Sequence, residues 1–452
     1  MENQEFDRQE YDKKREERPA GGKNRFLAGA LTGALVTAFA GLILVGMSAG
    51  IYLMGRHIIS RQPGTQAPQI TEGSGEGIDF QRITAKMNMI QQIIDRHFLY
   101  EEDTDNVEDY IYRGMMAGLE DPYSTYYSIQ DFQSITDSTK GTYSGIGAMI
   151  SQNRLTGLCT VVKVFEGSPA LEAGMQPGDV IYKIGDTLVA AESLDVLVNN
   201  YIKGEEGTKV DITVYRSDKD EYVDLSVERR KIEVPTVEYS MLEDGIGRVA
   251  VSEFDEITVE QFQMAIDELQ KDGMKGLIID LRSNPGGVLD SAVAMADYIL
   301  PDDLDQYEKG QGKTLIVYTA DKNQEGDVYA ASDGHEVDIP IAILINEESA
   351  SASEVFTGAL KDYKMATVVG TTSYGKGIVQ NLIPLGDGSA IKITTAHYYT
   401  PSGFDLHEKG IAPDVEEPLR EDLKTQAVVK PEEDNQLQKA AGILKERIGN
   451  AS

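Results

Sequence analysis

The stretch IAILINEESASASE, residues 341–354, contains the signals that decide the fold around it. Its first half is an apolar run typical of a buried strand, and the helical pattern SEVFTGALKDY begins at Ser353. Three alternating serines, Ser349, Ser351 and Ser353, lie at this junction. A serine at a helix N-terminus lies beside free backbone N–H groups, which favour developing negative charge. Such a serine also caps helices, and this segment alone favours capping.

A second segment, SYGKGIVQ at residues 373–380, places Lys376 between two glycines. Glycines permit a close backbone approach, so the lysine can lie against a core, where burial favours its neutral, basic form. The following run predicts a strand, and a period of two puts Gln380 on the same face as Lys376. Its amide could then orient the amine. Taken alone, a surface lysine in a turn and an ordinary polar strand residue explain these residues as well.

A third segment, GLIIDLRSNPGG at residues 276–287, is a buried strand that ends in a glycine-rich loop. Gly286 and Gly287 can direct backbone N–H groups at an oxyanion. A plain strand-to-helix turn would use the same residues. The segment therefore supports an oxyanion-binding role only in combination with the other two.

The regions around these segments differ in their periodicity. Residues 235–417 alternate strands with amphipathic helices, which predicts an α/β core with a buried sheet. Residues 139–234 contain short β-branched runs between Gly and Asp turns, which predicts a strand-rich module. Residues 79–138 are predicted to be helical, and residues 418–452 to end in a docked helix.

The N-terminal part contains 30 uncharged residues, 26–55, between Arg25 and Arg56. About 20 apolar residues span a bilayer, so this run predicts one transmembrane helix. It is longer than the apolar run of a cleaved secretory signal. Seven basic residues precede it and few follow, which predicts a cytoplasmic tail at 1–25 and an extracytoplasmic catalytic part. Residues 56–78 have the composition of a linker.

The composition excludes several classes of protein. The chain has 452 residues and a formal net charge of −33, which argues against nucleic-acid binding. Its one cysteine, Cys159, cannot form an internal disulfide or a Cys-rich zinc site. The five histidines lack the H-E-x-x-H spacing of zinc hydrolases. A hydrolase that uses His397 or His407 as its base is an alternative.

In combination, SASASE, YGKGIVQ and DLRSNPGG resemble the carboxyl-terminal processing, or tail-specific, serine proteases. The resemblance covers roughly residues 80–415 and includes three further stretches, GMMAGLEDPYSTYYS (114–128), TTAHYYTPSG (394–403) and KGIAPDV (409–415). It implies a catalytic core related to the crotonase and Clp-protease folds. It therefore implies a multi-domain chain with a transmembrane helix, a helical segment, a β-rich domain and this α/β core.

The same resemblance assigns roles to individual residues. It implies Ser351 as nucleophile, Lys376 as general base and Gln380 as the residue that orients Lys376. It implies an oxyanion hole formed by the N–H of Ala352 and by one N–H from Gly286 or Gly287. No metal or organic cofactor is required, and Ser349 and Ser353 become packing or capping residues.

The strand-rich module resembles a PDZ domain through YSGIGAMI (143–150) and GSPALEAGMQPGDVIYKIGD (167–186). Such domains bind an extended C-terminus by strand addition. The amides of Ile146, Gly147 and Ala148 are the candidate donors to the terminal carboxylate. The alternative is that the loop glycines only form a turn.

These observations lead to one expected function and one alternative. The expected function is a single-pass cell-membrane serine endopeptidase that cleaves extracytoplasmic proteins and recognises their C-terminal tails through the PDZ domain. Its partners are proteins or peptides with exposed tails and the membrane, and a homo-oligomer is left open. The alternative is a non-catalytic PDZ adaptor on a protease-like scaffold, which the intact set Ser351, Lys376 and Gln380 disfavours.

Overall fold

The computed structural model describes residues 77–153, 156–189, 192–304, 306–424, 426 and 429–451. The predicted cytoplasmic tail, the predicted transmembrane helix at 26–55 and nearly all of the predicted linker lie outside these ranges. Within them, no helix combines the length and the apolar character that crossing a bilayer requires.

The N-terminal region contains three helices and one short strand, although its sequence predicts helices alone. The capping side chains of Asp79, Asp103 and Ser128 begin the helices by accepting a hydrogen bond from an amide three residues on. The strand lies between the second and third helices, in the tyrosine-rich run TYY, whose side chains favour β structure. The elements are α1 (Phe80–His97), α2 (Thr104–Ala117), β1 (Thr125–Tyr127) and α3 (Ile129–Thr139).

The strand-rich module follows as predicted. One sheet has the order β3-β4-β5-β7-β8, with β6 on β5, and a separate ladder joins β2 to β9. Among the described strands, β3 pairs only with β4, so its other edge is unpaired. The elements are β2 (Thr142–Gly145), β3 (Ala148–Gln152), β4 (Cys159–Val164), α4 (Pro169–Glu172), β5 (Val180–Ile184), β6 (Thr187–Leu188), α5 (Leu194–Leu197), β7 (Lys209–Arg216), β8 (Glu221–Glu228) and β9 (Arg230–Glu233).

The α/β core has a central sheet of order β10-β11-β12-β15-β16-β19, parallel from β11 onward. Strands β12, β15 and β16 are buried throughout, as expected for a sheet covered on both faces. The elements are β10 (Val237–Met241), β11 (Ile246–Val251), α6 (Thr258–Lys271), β12 (Gly276–Asp280), α7 (Leu289–Ile299), β13 (Leu315–Asp321), β14 (Val328–Ala330), β15 (Ile341–Ile345), α8 (Ala352–Asp362), β16 (Ala366–Gly370), β17 (Ile378–Pro384), β18 (Ala390–Tyr399), β19 (Val415–Glu416) and α9 (Asn435–Ala451).

Helices cover the two faces of this sheet. The larger apolar cluster contains residues of α6, α7 and α8, including Phe262, Met295 and Phe356. The second contains Leu437 and Leu444 of α9, which packs against β12 and β15. The predicted C-terminal helix is therefore docked on the sheet.

A second sheet, of order β1-β18-β13-β14 with β17 on β18, completes the core. Thr125 pairs with Lys392 and Tyr127 with Ala390, so the N-terminal region supplies an edge strand to the α/β core. This pairing brings the segment just before β1 to the candidate site.

Candidate functional site

Ser351 lies in the turn between β15 and α8, as the sequence predicts. It is buried, and its backbone has φ 54° and ψ −114°, a conformation that non-glycine residues rarely adopt. The neighbouring serines hold this turn against the glycine-rich loop after β12. Ser349 donates to the carbonyl of Leu281 at 2.8 Å, and Ser353 donates to the carbonyl of Asn284 at 2.9 Å. The flanking serines therefore stabilise the contact between the two loops.

Glu354, in the first turn of α8, connects the serine turn to the lysine loop. Its Oε2 accepts hydrogen bonds from the amides of Ser351 and Lys376, each at 2.8 Å. Its Oε1 accepts from the amide of Gly375 at 2.7 Å and from the Ser373 hydroxyl at 2.5 Å. Burial raises the pKa of this carboxyl, and these four hydrogen bonds oppose the rise. The spacing S-x-x-E from Ser351, typical of a capping box, is the sequence signal for this residue.

The Lys376 side chain is only 1% exposed. Burial, aided by the positive charge of Lys392, lowers its pKa to about 7, although Glu354 and Asp121 act in the opposite direction. The ring of Tyr123 covers the amine, with 5.0 Å between Nζ and the ring centroid. The structure thus gives Lys376 the environment that the sequence interpretation requires, an amine that is partly neutral at neutral pH.

Gln380 is also buried, on β17 four residues after Lys376. Its Nε2 donates to the carbonyl of Ile378 at 3.3 Å. A register shift between Val379 and Gln380 interrupts the strict period of two that the sequence argument assumed. Lys376 itself lies just before the strand.

The glycine-rich loop approaches the serine turn closely. A Cβ on Gly286, which has φ 105°, would lie 2.8 Å from the Cβ of Ser351 and 3.0 Å from the amide nitrogen of Ala352. The amide of Gly286 donates to Asn284 Oδ1 at 2.8 Å. Within the described ranges, the amides of Ala352 and Gly287 donate no hydrogen bond. The free donors are therefore those of Ala352 and Gly287.

The two histidines weighed as alternative bases lie near each other. The rings of His397 and His407 are 5.1 Å apart, edge to face. His397 Nδ1 lies 3.6 Å from Asp405 Oδ1, too far for a hydrogen bond. A Ser–His–Asp mechanism requires the carboxylate to hold the imidazole through such a bond. The geometry therefore disfavours the histidine alternative.

The candidate carboxylate loop of the strand-rich module joins β2 to β3. The carbonyls of Ile146 and Gly147 accept hydrogen bonds from the amides of Ala170 and Phe165, at 2.9 and 3.0 Å. Because N–H and C=O point in opposite directions in a trans peptide, the amides of Gly147 and Ala148 point away from these partners. The Ile146 side chain is buried in the module's core. The Gly147 amide hydrogen-bonds to the Tyr143 hydroxyl, and the Ala148 amide lies at the start of β3, whose outer edge is unpaired among the described strands.

Comparisons with known proteins match two parts of this chain to family models. Residues 245–417 match the family model of peptidase family S41, and residues 144–227 match that of the PDZ domain. Two curated relatives are named probable CtpA-like serine proteases. That of Staphylococcus aureus (strain COL) is 36% identical over 332 residues, 73% of this chain and 64% of the relative. That of Staphylococcus saprophyticus subsp. saprophyticus is 34% identical over 356 residues, 77% of this chain and 69% of the relative.

Among solved structures, this chain is similar to the photosystem II D1 C-terminal processing protease. The two are 28% identical, with a TM-score of 0.41, and the match covers 68% of this chain and 80% of that one. This chain spans just under two thirds of the length of the Staphylococcus aureus relative.

Proposed function

This chain belongs to peptidase family S41, and from that premise we propose that it is a serine endopeptidase with Ser351 as nucleophile and Lys376 as general base. One observation carries the proposal. A buried lysine whose pKa is lowered to about 7 shares a hydrogen-bond acceptor with the serine, since both backbone amides donate to Glu354 Oε2. A neutral amine close to a helix-terminal serine is the arrangement that nucleophilic catalysis without histidine needs.

The chemistry follows from the positions of these groups. Neutral Lys376 takes the proton of the Ser351 hydroxyl as its oxygen attacks the peptide carbonyl. The tetrahedral oxyanion accepts hydrogen bonds from the amides of Ala352 and Gly287, since the Gly286 amide is engaged with Asn284 Oδ1. The ammonium of Lys376 then protonates the leaving amine, and an acyl-enzyme remains. Water that Lys376 activates releases the acyl group.

Gln380 has a supporting role in this scheme. It is buried four residues after Lys376 and lies opposite Thr394 of β18. Its carbonyl oxygen is suited to accept a hydrogen bond from the Lys376 amine and so to orient the amine's lone pair. The α/β core that carries these residues is proposed to be related to the crotonase and Clp-protease folds.

The PDZ domain is proposed to recognise substrates by their C-terminal tails. The unpaired edge of β3 can accept an added strand, and the Ile146–Ala148 loop at its start supplies amides for the terminal carboxylate. The tail's backbone would contribute affinity, and its side chains would contribute specificity.

The proposal includes a location. The uncharged run at 26–55 is proposed to be a transmembrane helix with a cytoplasmic N-terminus, because basic residues concentrate before it. The catalytic part would then act on extracytoplasmic proteins from the cell membrane.

Cleavage of an unstructured reporter protein with an apolar C-terminal tail tests the activity. The full chain in detergent is compared with Ser351→Ala and Lys376→Ala, and with Ser226→Ala and Lys275→Ala, which change exposed residues. Wild type and the two exposed-site variants should cut, whereas each site variant should lose at least about a thousandfold in rate. An amidated tail should slow cutting. Cutting by both site variants would refute the dyad, and tail binding without any cutting would favour the adaptor alternative.

A further inference from the structure

A second buried lysine, Lys392, lies near enough for its charge to act on the proposed base, and it has no part in the mechanism above. It is only 4% exposed, on β18, where it pairs with Leu382 on one side and with Thr125 on the other. Its Nζ lies 5.7 Å from the centroid of the Tyr127 ring. A buried ammonium is costly to maintain, so its position beside a reactive amine calls for a reason.

Asp121 supplies the negative charge that acts on Lys392. Its Oδ2 accepts from the Ser124 hydroxyl at 2.5 Å, and its Oδ1 accepts from the amide of Tyr123 at 3.0 Å. Ser124 Oγ also accepts from the amide of Thr394 at 3.1 Å, which ties the carboxylate to β18 two residues from Lys392. Burial would raise the pKa of Asp121, but its hydrogen bonds and the charge of Lys392 outweigh this and lower it. Asp121 is therefore ionised at neutral pH.

The same short loop, residues 121–124, also reaches Lys376. Tyr123, in this loop, contacts the base directly, since its ring covers the Lys376 amine. Its hydroxyl is partly buried and hydrogen-bonded to Tyr374, which raises its pKa far above neutrality, so it remains uncharged. The charges that act on Lys376 are Lys392, which favours its neutral form, and Glu354 and Asp121, which favour its ammonium form.

The two lysines thus have different charges acting on them. Burial lowers the pKa of Lys392 to about 8, and Asp121 limits that fall. Burial lowers the pKa of Lys376 to about 7, and the positive charge of Lys392 acts in the same direction. When neighbouring groups have their proton affinities driven apart, one can act as base while the other retains its charge.

We propose that Lys392 is a positioning residue for the general base: its buried ammonium, held in the charged form by Asp121, keeps the neighbouring Lys376 amine neutral and able to accept the Ser351 proton. This inference rests on the proposed function. It adds a charged pair, contributed by the N-terminal region and β18, that acts through Lys376 and does not contact the substrate.

The test is the pH dependence of kcat/KM for the tailed reporter, measured on the full chain. Lys392→Met removes the charge at similar volume. The midpoint of the acidic limb should rise by about one pH unit, with about tenfold lower activity at pH 6 and little loss at pH 9. Lys392→Arg retains the charge and should keep the wild-type midpoint. Lys275→Met, which changes an exposed lysine, is the matched control.

Lys392→Gln gives a second, independent removal of the charge, with a polar amide in place of the ammonium. Its midpoint should rise as in Lys392→Met. This variant decides the question if Lys392→Met fails to fold, as judged by its thermal unfolding curve. An unchanged midpoint in the folded neutral variant, or its inactivity up to pH 9, would overturn the proposal.

Failure of the proposed function has a different signature. In that case Lys376→Ala would retain wild-type cleavage, or wild type would show no cleavage at any pH. Failure of the present inference instead leaves an active enzyme that depends on Lys376, with a midpoint that is insensitive to the charge at position 392.

Discussion

Ser351 and Lys376 are held together through their backbones, since both amide nitrogens donate to Glu354 Oε2 at 2.8 Å. The two nitrogens therefore lie within twice that distance of each other, although they belong to different elements. Glu354 Oε1 fixes the same lysine loop through Gly375 and Ser373. One carboxylate thus sets the separation of the proposed nucleophile and base.

We expect Glu354→Gln to lower kcat by 10- to 100-fold and to reduce stability by about 2 kcal/mol. A glutamine has one acceptor oxygen, and its NH₂ group would face amides that themselves donate, so buried donors lose their partner. The measurements are reporter cleavage and urea unfolding. Glu348→Gln, on an exposed residue nearby, should match wild type in both. A fully active Glu354→Gln enzyme would show that the shared acceptor is dispensable.

We expect kcat/KM of wild type to rise with pH through a midpoint of about 7. Below this value Lys376 carries a proton and cannot accept the one from Ser351, because the pKa of its buried amine is about 7. Activity should therefore fall about tenfold for each pH unit below the limb. Initial rates at low substrate concentration between pH 5 and 9 measure this. A profile that is flat over that range would contradict a lysine base.

Lys376→Met should change the pH dependence of stability. The pKa of Lys376 is about 7 in the folded chain and about 10.4 when unfolded, so wild-type folding releases a proton between these values. The stability contributed by this group is present above pH 10 and is lost as the pH falls to 7. The variant should thus gain several kcal/mol relative to wild type at pH 7 and much less at pH 10, because one pKa unit equals about 1.4 kcal/mol. Denaturant unfolding of both proteins at the two pH values measures it, and an equal difference at both would contradict the burial of this amine.

Alanine at the two loop glycines should have different effects. Gly286→Ala places a Cβ 2.8 Å from the Cβ of Ser351. The serine turn must then shift, so the cleavage rate should fall at least about 100-fold. Gly287→Ala, at φ 137°, places a Cβ 2.3 Å from the carbonyl oxygen of Phe254, so it should destabilise the fold by about 2–4 kcal/mol.

Gly273→Ala provides the comparison for that pair. It also has a positive φ, 84°, but a Cβ there would meet no atom within 4 Å. It should cost about 1 kcal/mol of stability and leave cleavage unchanged. Thermal unfolding and reporter cleavage separate the three variants. Similar behaviour of Gly286→Ala and Gly273→Ala would contradict the close approach to Ser351.

Gly147→Ala should weaken the use of C-terminal tails. The residue has φ 77°, and a Cβ would lie 2.4 Å from the Cβ of Ser168, so the loop must move. Cleavage of the tailed reporter should fall several-fold through KM, whereas the slower cleavage of its amidated form should not change. Gly167→Ala, where a Cβ meets nothing within 4 Å, is the control. Equal losses on free and amidated tails would contradict recognition of the carboxylate by this loop.

The local parts of the fold could be predicted from the sequence. Strand β16 occupies the predicted residues 366–370, and α8 begins one residue before the predicted Ser353. These elements are buried, so the pattern of their apolar residues predicts their secondary structure. The segments SASASE and YGKGIVQ likewise marked Ser351 and Lys376 as candidates, and the family resemblance, not their spacing, paired them.

The long-range parts could not be predicted in the same way. Strand β1 forms only because Thr125 pairs with Lys392, far along the chain, and three residues have no periodicity of their own. The charges around Lys376 depend on that pairing, because it brings Asp121 and Tyr123 to the amine. The proposed choice of Gly287 over Gly286 rests on the Asn284 side chain, whose hydrogen bond no motif specifies.

The chain order of the strands makes the PDZ domain an insertion. Strand β1 precedes it and β10 follows it, yet both belong to the sheets of the catalytic core. The segments that enter and leave the PDZ domain lie side by side, since the amide of Val234 donates to the carbonyl of Gly141 at 2.8 Å. The PDZ domain could therefore be excised or exchanged with no added length between its flanks. A protein truncated at residue 245, the start of the family match, would instead lose the strand that brings Asp121 to the lysines.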